Sequence, residues 1–421
     1  MRILVLGTGA REHAIITALL REGSHEVICA GGNGGIAADV ETVQIDQLNA
    51  NLVAELAADR AVDLVVIGPE APLVAGVADA VRDAGIAVFG PSKLAARIEG
   101  SKSFAKQIMT DAQVPTGAVT QVADYDQLVA AVDGQGGPWV IKADGLAAGK
   151  GVLVTEDRDA AIEHAEKYLG EGPVLVEEFL AGPEVSLFFL SDGETVVPLT
   201  PAQDYKRLAD GDAGPNTGGM GAYSPCDWII ERFGSEAAFT DEVRANVAEP
   251  TIRRLAEIGA PFVGLLYAGL IVTDAGIRVI EFNARFGDPE TQVILPRLTS
   301  SLADALMASA TGALAELPPL EFSDEAAVTV VIASEGYPEA PQTGRELTGL
   351  DDAAAVENVS LIHAATRVDN GRWIATGGRV LNVVATGPSI AEARDSAYEG
   401  IAKITLEGGQ HRTDIAAGAA L

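Results

Sequence analysis

The chain has 421 residues, too many for one ordinary hydrophobic core, so we expect about two to four folding units. Hydrophobic residues make up 48% and charged residues 21% of the sequence, which is typical of soluble globular proteins, and no apolar run reaches the ~18 residues of a membrane span. The formal net charge of −31 argues against nucleic acid as a partner. The short apolar start is unlike a secretory signal, so we expect a cytoplasmic location and reduced thiols at Cys29 and Cys226.

The N-terminal part alternates apolar strands with helices. We predict strands at residues 2–7, 26–30, 63–67 and 86–89 and helices at residues 11–22 and 74–84. Such alternation predicts a doubly wound parallel sheet whose ligand crevice lies at the carboxyl ends of the strands. The turn Gly7-Thr8-Gly9-Ala10-Arg11-Glu12-His13 lies at such an end and opens a helix, so its N–H groups favour a phosphate.

A dehydrogenase would bind a dinucleotide at this turn. The G-x-G-x-x-G motif is incomplete, however, because Glu12 stands where its third glycine should be. The turn therefore indicates a phosphate of some kind and not a nicotinamide cofactor. Glu12 and His13 are either ligand contacts or residues of a surface-facing first turn.

A glycine hairpin follows a strand that ends at Lys142. It differs from a Walker loop, because the glycine spacing is one residue short and Gly151 stands where that motif needs Ser or Thr. We expect the hairpin to fold over phosphates with its N–H groups and Lys150. An ordinary mobile hairpin is the alternative, and the two lysines that bracket the loop weigh against it.

A later strand carries oxygen atoms suited to a metal ion. Along Ile277 to Arg285, strand alternation places Glu281, Asn283 and Arg285 on one face and Ile280 and Phe282 on the core face. A carboxylate and an amide are ligands that Mg²⁺ accepts beside water and phosphate oxygens. The alternative is a wet edge strand on which Arg285 pairs with Glu281.

Two loops adjoin these strands. Residues 287–290 predict a turn into a helix, with Asp288 as the cap and Pro289 at the first helical position. The glycine-rich segment 211–225 costs chain entropy unless its backbone approaches something closely, so we expect a lid over a substrate there.

Taken together, these segments resemble the glycinamide ribonucleotide synthetase family, the phosphoribosylamine–glycine ligases of the ATP-grasp superfamily. The likeness covers nearly the whole chain, and it is most specific at residues 215–225 and 281–290. It implies an N-terminal Rossmann-like domain with a doubly wound parallel sheet at residues 1–100. It further implies a central ATP-grasp domain at 101–314, with a lid subdomain at about 117–186, and a small C-terminal α+β domain at 320–421.

The resemblance implies an ATP-dependent ligase that joins glycine to 5-phosphoribosylamine through glycyl phosphate. It implies Mg²⁺ or Mn²⁺ as the metal, ATP as a co-substrate, a monomer, and neither nucleic acid nor membrane as a partner. The implied ATP-binding residues are Lys102, Lys142, Asp144, Gly145, Gly149, Lys150, Gly151, Glu177, Glu178, Phe179, Leu180 and Glu184, and the implied metal ligands are Glu281 and Asn283. The implied catalytic residues are Arg285, Lys206, Asp212 and Asn216, and the implied substrate-binding residues are Gly9, Arg11, Glu12, His13, Glu70, Asp288 and Pro289.

Two departures and two alternatives remain. The family more often has Gly-Asn-Gly-Gly where this chain has Gly7-Thr8-Gly9-Ala10, and a histidine is common where Tyr205 stands. Another ATP-grasp ligase with a different acid or amine, or a regulatory ATP-binding module, would share the metal strand and the hairpin. In the C-terminal part, residues 377–379 either reach the substrate or form a hairpin bend with a surface Arg379.

Overall fold

A computed structural model describes residues 1–145 and 151–420 of the chain. The N-terminal part is a five-stranded parallel sheet in the order β3–β2–β1–β4–β5. Its strands are β1 Arg2–Gly7, β2 Glu26–Gly31, β3 Glu41–Val43, β4 Leu64–Ile67 and β5 Ala87–Phe89. Its helices are α1 Ala10–Arg21, α2 Gly34–Asp39, α3 Ala50–Asp59, α4 Glu70–Ala75, α5 Val77–Asp83 and α6 Arg97–Gly100.

Both faces of this sheet are covered, as a doubly wound fold requires. Leu4 and Leu6 of β1 pack in the same core as α3 and α5, whereas Ile3 and Val5 face α1 and a later helix at Leu302–Thr311. The parallel sheet predicted from the sequence is thus confirmed. The single helix predicted at residues 74–84 is wrong, because Gly76 adopts φ 94° and separates α4 from α5.

The central part begins with a second, smaller sheet in the order β6–β9–β7–β8, which we call the hairpin sheet because it carries the glycine hairpin. The elements are α7 Lys102–Asp111, β6 Val119–Val122, α8 Tyr125–Gln135, β7 Trp139–Ala143, β8 Val152–Thr155, α9 Arg158–Leu169 and β9 Val174–Glu178. α8 and α9 pack against the hairpin sheet in a core of their own, around Val132, Ile141 and Val176.

The rest of the central part is built on an antiparallel sheet in the order β11–β10–β16–β17. The strands of this region are β10 Glu184–Asp192, β11 Val196–Pro198, β12 Gln203–Asp204, β13 Arg207–Ala209, β14 Ala213–Asn216, β15 Gly221–Ser224, β16 Val263–Thr273 and β17 Gly276–Asn283. The helices are α10 Asp227–Phe233, α11 Glu236–Val243, α12 Glu249–Glu257, α13 Thr291–Ile294 and α14 Leu302–Thr311, with short 3₁₀ or π segments at Asp210–Asp212, Arg244–Ala248 and Leu314–Glu316.

The C-terminal part is a small α+β unit, as predicted. Its elements are β18 Ala326–Ala333, β19 Glu346–Thr348, α15 Leu350–Ala354, β20 Val359–His363, β21 Thr366–Asp369, β22 Arg372–Ala375, β23 Arg379–Gly387, α16 Ile390–Lys403 and β24 Thr405–Leu406. Its two sheets run β12–β15–β18–β23–β20 and β21–β22–β19–β24. In the part of the chain that the structure describes, every helix is too short or too polar to cross a membrane.

Two strands of the central part, β12 and β15, complete the C-terminal sheet. The second half of the glycine-rich segment is therefore a buried strand, Gly221–Ser224, and differs from the predicted lid. The reason is that β15 pairs with both β12 and β18, which leaves it no free edge. The predicted domain boundaries stay predictions, since the central and C-terminal parts share this sheet.

Candidate active site

Strand β17 presents the predicted metal residues side by side. Glu281 and Asn283 are half-buried, and Phe282 between them is buried, as strand alternation predicts. Ile280, which we expected on the core face, is only half-buried. A bulge causes the difference: Glu281 pairs with Gly269 and Val279 with Leu270, so Ile280 is the extra residue and Val279 takes the core position.

Glu281 and Asn283 form a donor set that fits a magnesium ion. Within residues 1–145 and 151–420, neither side chain has a hydrogen-bond or ion-pair partner. The positive charges of Lys102 and Lys206 act on the Glu281 carboxylate, and burial lowers the pKa of Lys102 while Glu281 raises it. A carboxylate and an amide oxygen from one strand are thus available together to a hard cation.

Arg285 pairs with acids of the N-terminal part and not with Glu281, so the edge-strand alternative is wrong on this point. Its Nη2 lies 2.9 Å from Glu99 Oε1, and its Nε lies 3.4 Å from Glu70 Oε2. Although burial opposes the charge, Glu99 and Glu70 hold the pKa of Arg285 above its ordinary value. Glu99 also accepts the Ala284 N–H at 2.7 Å, so the two parts of the chain are joined directly at the site.

Two predicted ATP residues, Lys142 and Glu177, meet in a buried ion pair. Lys142 Nζ lies 3.0 Å from Glu177 Oε2 and donates to the Ile280 carbonyl at 3.1 Å. Lys106 Nζ lies 3.0 Å from the same carboxylate oxygen, while Glu177 Oε1 is buried and has no donor among the described residues. The sequence analysis missed Lys106, although its position four residues after Lys102 places both lysines on one face of α7.

The first residues of the glycine hairpin are fixed to the start of α7. Lys102 Nζ donates to the Gly145 carbonyl at 2.8 Å, and Asp144 accepts the Ser101 hydroxyl at 3.2 Å and the Gly145 N–H at 2.9 Å. At the far side of the hairpin, the Gly151 carbonyl accepts the Ala143 N–H at 2.8 Å. The predicted residues Gly149 and Lys150 lie outside the described residues.

The predicted ATP-binding residues Glu178, Phe179 and Leu180 lie at the end of β9 and directly after it. Glu178 accepts the Ala118 N–H with its carboxylate at 3.0 Å. The backbone groups of Phe179 and Leu180 have no hydrogen-bond partner in the described part of the chain, and the Phe179 side chain is 42% exposed. This edge is therefore free to bind a flat heterocycle through its backbone.

Lys206 lies in a cluster of carboxylates. Its Nζ is 2.5 Å from Glu184 Oε2 and 3.9 Å from Asp204 Oδ1. Burial, with smaller contributions from Glu290 and Glu184, raises the pKa of the Asp204 carboxyl to about 7 in spite of the opposing charge of Lys206. The sequence analysis missed Asp204 and Glu290; the two-residue spacing of Asp204 and Lys206, which puts side chains on one side wherever a chain is extended, was the available signal.

Glu290 lies deeper, at 3% exposure. Its Oε1 accepts the Tyr267 hydroxyl at 2.6 Å and the Ser186 hydroxyl at 3.3 Å. These bonds hold β10, β16 and the turn after β17 together beneath the Lys206 cluster.

The two other predicted catalytic residues lie on the β13–β14 hairpin. Asp212 pairs with Arg412 of the C-terminal part at 2.7 Å, and its contacts do not include Arg285 or Glu281. Asn216 pairs with Arg207 in the β13–β14 ladder. The charge of Glu281 acts on Lys206, so the structure brings Lys206 close to β17, and it places Asp212 against the C-terminal part.

In the first loop, residues 7–13, the Glu12 side chain folds back onto the backbone of the loop. Glu12 is 1% exposed, and its carboxylate accepts the Gly9 N–H and the Arg11 Nε–H, both at 2.6 Å. A Cβ atom at Gly7 or Gly68 would overlap the Glu12 side chain. The Gly9 N–H, which we expected to hold a phosphate, is bonded to a carboxylate in this structure, and a phosphate contact of the first loop stays a prediction.

The neighbouring residues of the loop are buried as well. Arg11 is 8% and His13 4% exposed, so the surface-turn alternative is wrong. Arg11 also donates to the Phe286 carbonyl at 3.3 Å. His13 lies 2.9 Å from Asp39 and accepts the His363 N–H at 2.8 Å, which joins the N-terminal and C-terminal parts.

Asp288 and Pro289 form a turn, and α13 begins later than predicted, at Thr291. Asp288 does not cap the helix, because its carboxylate accepts Arg379 Nη2 at 3.0 Å and Gln292 Nε2 at 2.9 Å. Arg379 Nη1 also donates to the Gly218 and Asp288 carbonyls, at 2.5 and 2.9 Å. Arg379 thus connects β23 with the loop at Gly218 and the turn at Asp288, and it is not the surface residue of a hairpin bend.

Comparisons with known proteins agree with this architecture. Three phosphoribosylglycinamide synthetase family models match in order: the N domain at residues 1–99, the ATP-grasp (A) domain at residues 100–291 and the C domain at residues 327–418. A phosphoribosylamine–glycine ligase of Leifsonia xyli is 60% identical over 99% of this chain and 100% of its own length. One of Streptomyces coelicolor is 56% identical over 100% of both chains.

Solved structures give the same picture. The crystal structure of phosphoribosylamine–glycine ligase from Thermotoga maritima has a TM-score of 0.83 at 34% identity, and the match covers 99% of this chain and 100% of that one. A biotin carboxylase domain of Hydrogenobacter thermophilus 2-oxoglutarate carboxylase, at 16% identity and a TM-score of 0.72, shares the fold over 97% of this chain and 91% of that one. With its N, ATP-grasp and C domains matched in order and its full length covered, the chain belongs to the phosphoribosylglycinamide synthetase family.

Proposed function

We propose that this chain is an ATP-dependent ligase that joins glycine to 5-phosphoribosylamine and forms glycinamide ribonucleotide, ADP and phosphate. The observation that carries the proposal is the junction of β7, β9 and β17. There the buried Lys142 binds both Glu177 and the Ile280 carbonyl, next to Glu281 and Asn283, whose side chains have no partner among the described residues. We infer that a phosphate-binding lysine, an adenine-binding edge and two metal ligands would meet at this junction.

ATP would lie between the hairpin sheet and β17. The free backbone groups of Phe179 and Leu180 suit the edge of adenine, and the buried Glu177 Oε1, which lacks a donor among the described residues, suits its amino group. Lys102 and Lys142 would bind the phosphates. Glu184 would accept the ribose hydroxyls once its bond to Lys206 is exchanged.

Glu281 and Asn283 would hold the metal, Mg²⁺ or Mn²⁺. When bound, the metal supplies positive charge that offsets the charge of the phosphate oxygens. Lys206 and Arg285 supply further positive charge from the chain itself. This local concentration is necessary because the protein as a whole carries a net charge of −31.

The reaction follows from the weak acylating power of a carboxylate. A glycine carboxylate oxygen bonds to the γ-phosphorus of ATP as the bond to the β,γ-bridging oxygen breaks, which releases ADP and leaves glycyl phosphate. The amine nitrogen of phosphoribosylamine then bonds to the acyl carbon, phosphate leaves, and the nitrogen loses a proton. Positioning and charge stabilisation are sufficient for both steps, so no covalent enzyme nucleophile is needed.

Phosphoribosylamine would bind between the N-terminal sheet and Arg285. Glu70 is suited to its amine, and Arg285 and Arg11 hold the pKa of the Glu70 carboxyl below its usual range in spite of burial. Glu12 and His13 would shape this region, and their contacts within the fold would hold the first loop in place. We further propose that the protein is a cytoplasmic monomer whose partners are small molecules only.

The test is product formation with each component omitted in turn. The mixture contains ATP, magnesium, labelled glycine and phosphoribosylamine generated in situ, and the product is identified by mass. We expect ADP and labelled glycinamide ribonucleotide only when every component is present. ADP without that product would instead identify an ATP-grasp enzyme for another acid and amine, and no ADP at all would favour a regulatory ATP-binding module.

A further inference from the structure

The β13–β14 hairpin that follows Lys206 has little sheet of its own. It consists of two short strands, Arg207–Ala209 and Ala213–Asn216. Its turn adopts left-handed backbone angles at Gly211 and Asp212, with φ of 67° and 52°. A two-stranded ribbon is marginally stable by itself, so contacts from elsewhere must determine its position.

Arg412, which follows the last strand, supplies those contacts. Its side chain is only 1% exposed. Nη1 donates to the Asp212 carboxylate at 2.7 Å and to the Arg207 carbonyl at 3.1 Å. The guanidinium carbon lies 4.8 Å from the centre of the Tyr205 ring, within the range of a cation–π contact. Arg412 thus holds the residues on both sides of Lys206.

The residues around Arg412, which we call the C-terminal arm (residues 412–416), add further bonds. Asp414 accepts Arg412 Nη2 at 2.6 Å and also accepts the Gly211 N–H at 2.8 Å. The Ala416 N–H donates to the Tyr205 hydroxyl at 2.9 Å. Because a buried guanidinium is costly to leave unpaired, these bonds fix one arrangement of arm and hairpin.

We propose that Arg412 is a positioning residue of the ligase reaction, which holds Tyr205 and Arg207 and thereby directs the Lys206 ammonium group toward Glu184 and Asp204. The inference rests on the proposed function, because that function uses the positive charge of Lys206 at the phosphoryl group that glycine receives. Within the described residues, Arg412 touches neither β17 nor the proposed ATP-binding residues. Its loss should therefore weaken the glycine step through Lys206 and leave the binding of ATP nearly unchanged.

The test compares Arg412→Lys and Arg412→Met with Arg394→Met. Arg394 is a matched control, since it donates to Thr413 and Ile415 of the same arm, at 2.7 and 3.0 Å, but does not touch the hairpin. The KM for glycine, the KM for ATP and kcat are measured for each variant, together with the urea midpoint. Arg412→Lys keeps the positive charge but loses the forked geometry of the guanidinium group. If Arg412→Met does not fold, the comparison is made with Arg412→Lys alone.

We expect Arg412→Lys to raise the KM for glycine, or to lower kcat/KM for glycine, by about tenfold or more, with the KM for ATP changed less than about twofold. Arg394→Met should lower the urea midpoint without this selective effect. An equal rise in the KM for ATP, or the same kinetic pattern in Arg394→Met, would overturn the proposal and reduce Arg412 to a structural contact. The wild-type product assay reports separately on the proposed function, so the two failures can be told apart.

Discussion

The carboxylate of Glu177 and the ammonium group of Lys142 lie 3.0 Å apart in a buried pair, and Lys106 approaches the same oxygen from the other side. One negative charge thus holds two positive charges in the interior. The arrangement links α7, β7 and β9, so it stabilises the fold and also fixes the position of Lys142, which we propose binds ATP.

Glu177→Gln should therefore destabilise the protein strongly. Two buried ammonium groups would remain without a counter-charge, which costs about 3–5 kcal/mol in free energy of unfolding. The double variant Lys106→Met/Glu177→Gln removes one of the unpaired charges and should recover a large share of that loss. Urea unfolding of the four proteins in the cycle measures both effects, and an additive double variant would contradict the shared-carboxylate geometry.

Glu281→Ala and Asn283→Ala should each lower kcat/KM by about a hundredfold or more and shift the magnesium dependence to higher concentration, since each variant loses one of the two proposed metal ligands. The far-ultraviolet circular dichroism should stay unchanged, because both side chains are half-buried and have no partner within the described chain. Arg278→Gln, earlier in the same strand, is the control. A wild-type magnesium titration in either alanine variant would exclude the site.

Acid should weaken the fold through His363. Burial, and secondarily His13, lowers the pKa of His363 from 6.5 to about 4, while Asp39 opposes the shift. The folded state therefore binds fewer protons than the unfolded chain between these two values. The stability that depends on neutral His363 is therefore fully present above pH 6.5. It decreases as the pH falls toward the pKa of the folded state, and the free energy of unfolding drops by up to about 3 kcal/mol.

The measurement is the free energy of unfolding by urea as a function of pH, for the wild type and for His363→Gln. The glutamine variant cannot titrate at this position, so its curve should be flatter between the two pKa values. Parallel curves would show that His363 makes no such contribution.

Gly68→Ala should destabilise the N-terminal part, because the new methyl group would overlap the Glu12 carboxylate. Forced overpacking of this kind costs about 1–3 kcal/mol. Gly134→Ala is the matched control: Gly134 lies in α8 and nothing is near its Cβ position, so the change should stabilise the helix by up to about 1 kcal/mol. If Gly68→Ala and Gly134→Ala have the same urea midpoint, Glu12 does not fill the space described.

Local pattern was sufficient for much of this architecture. Strand alternation predicted the shared face of Glu281 and Asn283, and the strand–helix alternation predicted the parallel sheet, because both depend on spacing along the chain. The position of Ile280 was not predictable in this way. Its bulge arises from the register against Gly269 on another strand.

Several of the misses share one physical cause, which is pairing between residues that are distant in sequence. Glu177 meets Lys106 and Lys142, and Asp212 meets Arg412, through the folding of separate segments. The sequence shows which residues are ionisable, but it does not show which of them form ion pairs with each other. The union of β15 with β18 is of the same kind, and it turned part of an expected lid into a buried strand.

The Glu12 carboxylate beside Gly7, Gly9 and Gly68 has a consequence for the chemical selectivity of the whole molecule. In dinucleotide-binding folds the pyrophosphate group binds at this turn. In this chain the Glu12 carboxylate lies there and would repel it. A single buried side chain, with no change of topology, thus makes the phosphate-binding turn of this fold unfavourable for a pyrophosphate group.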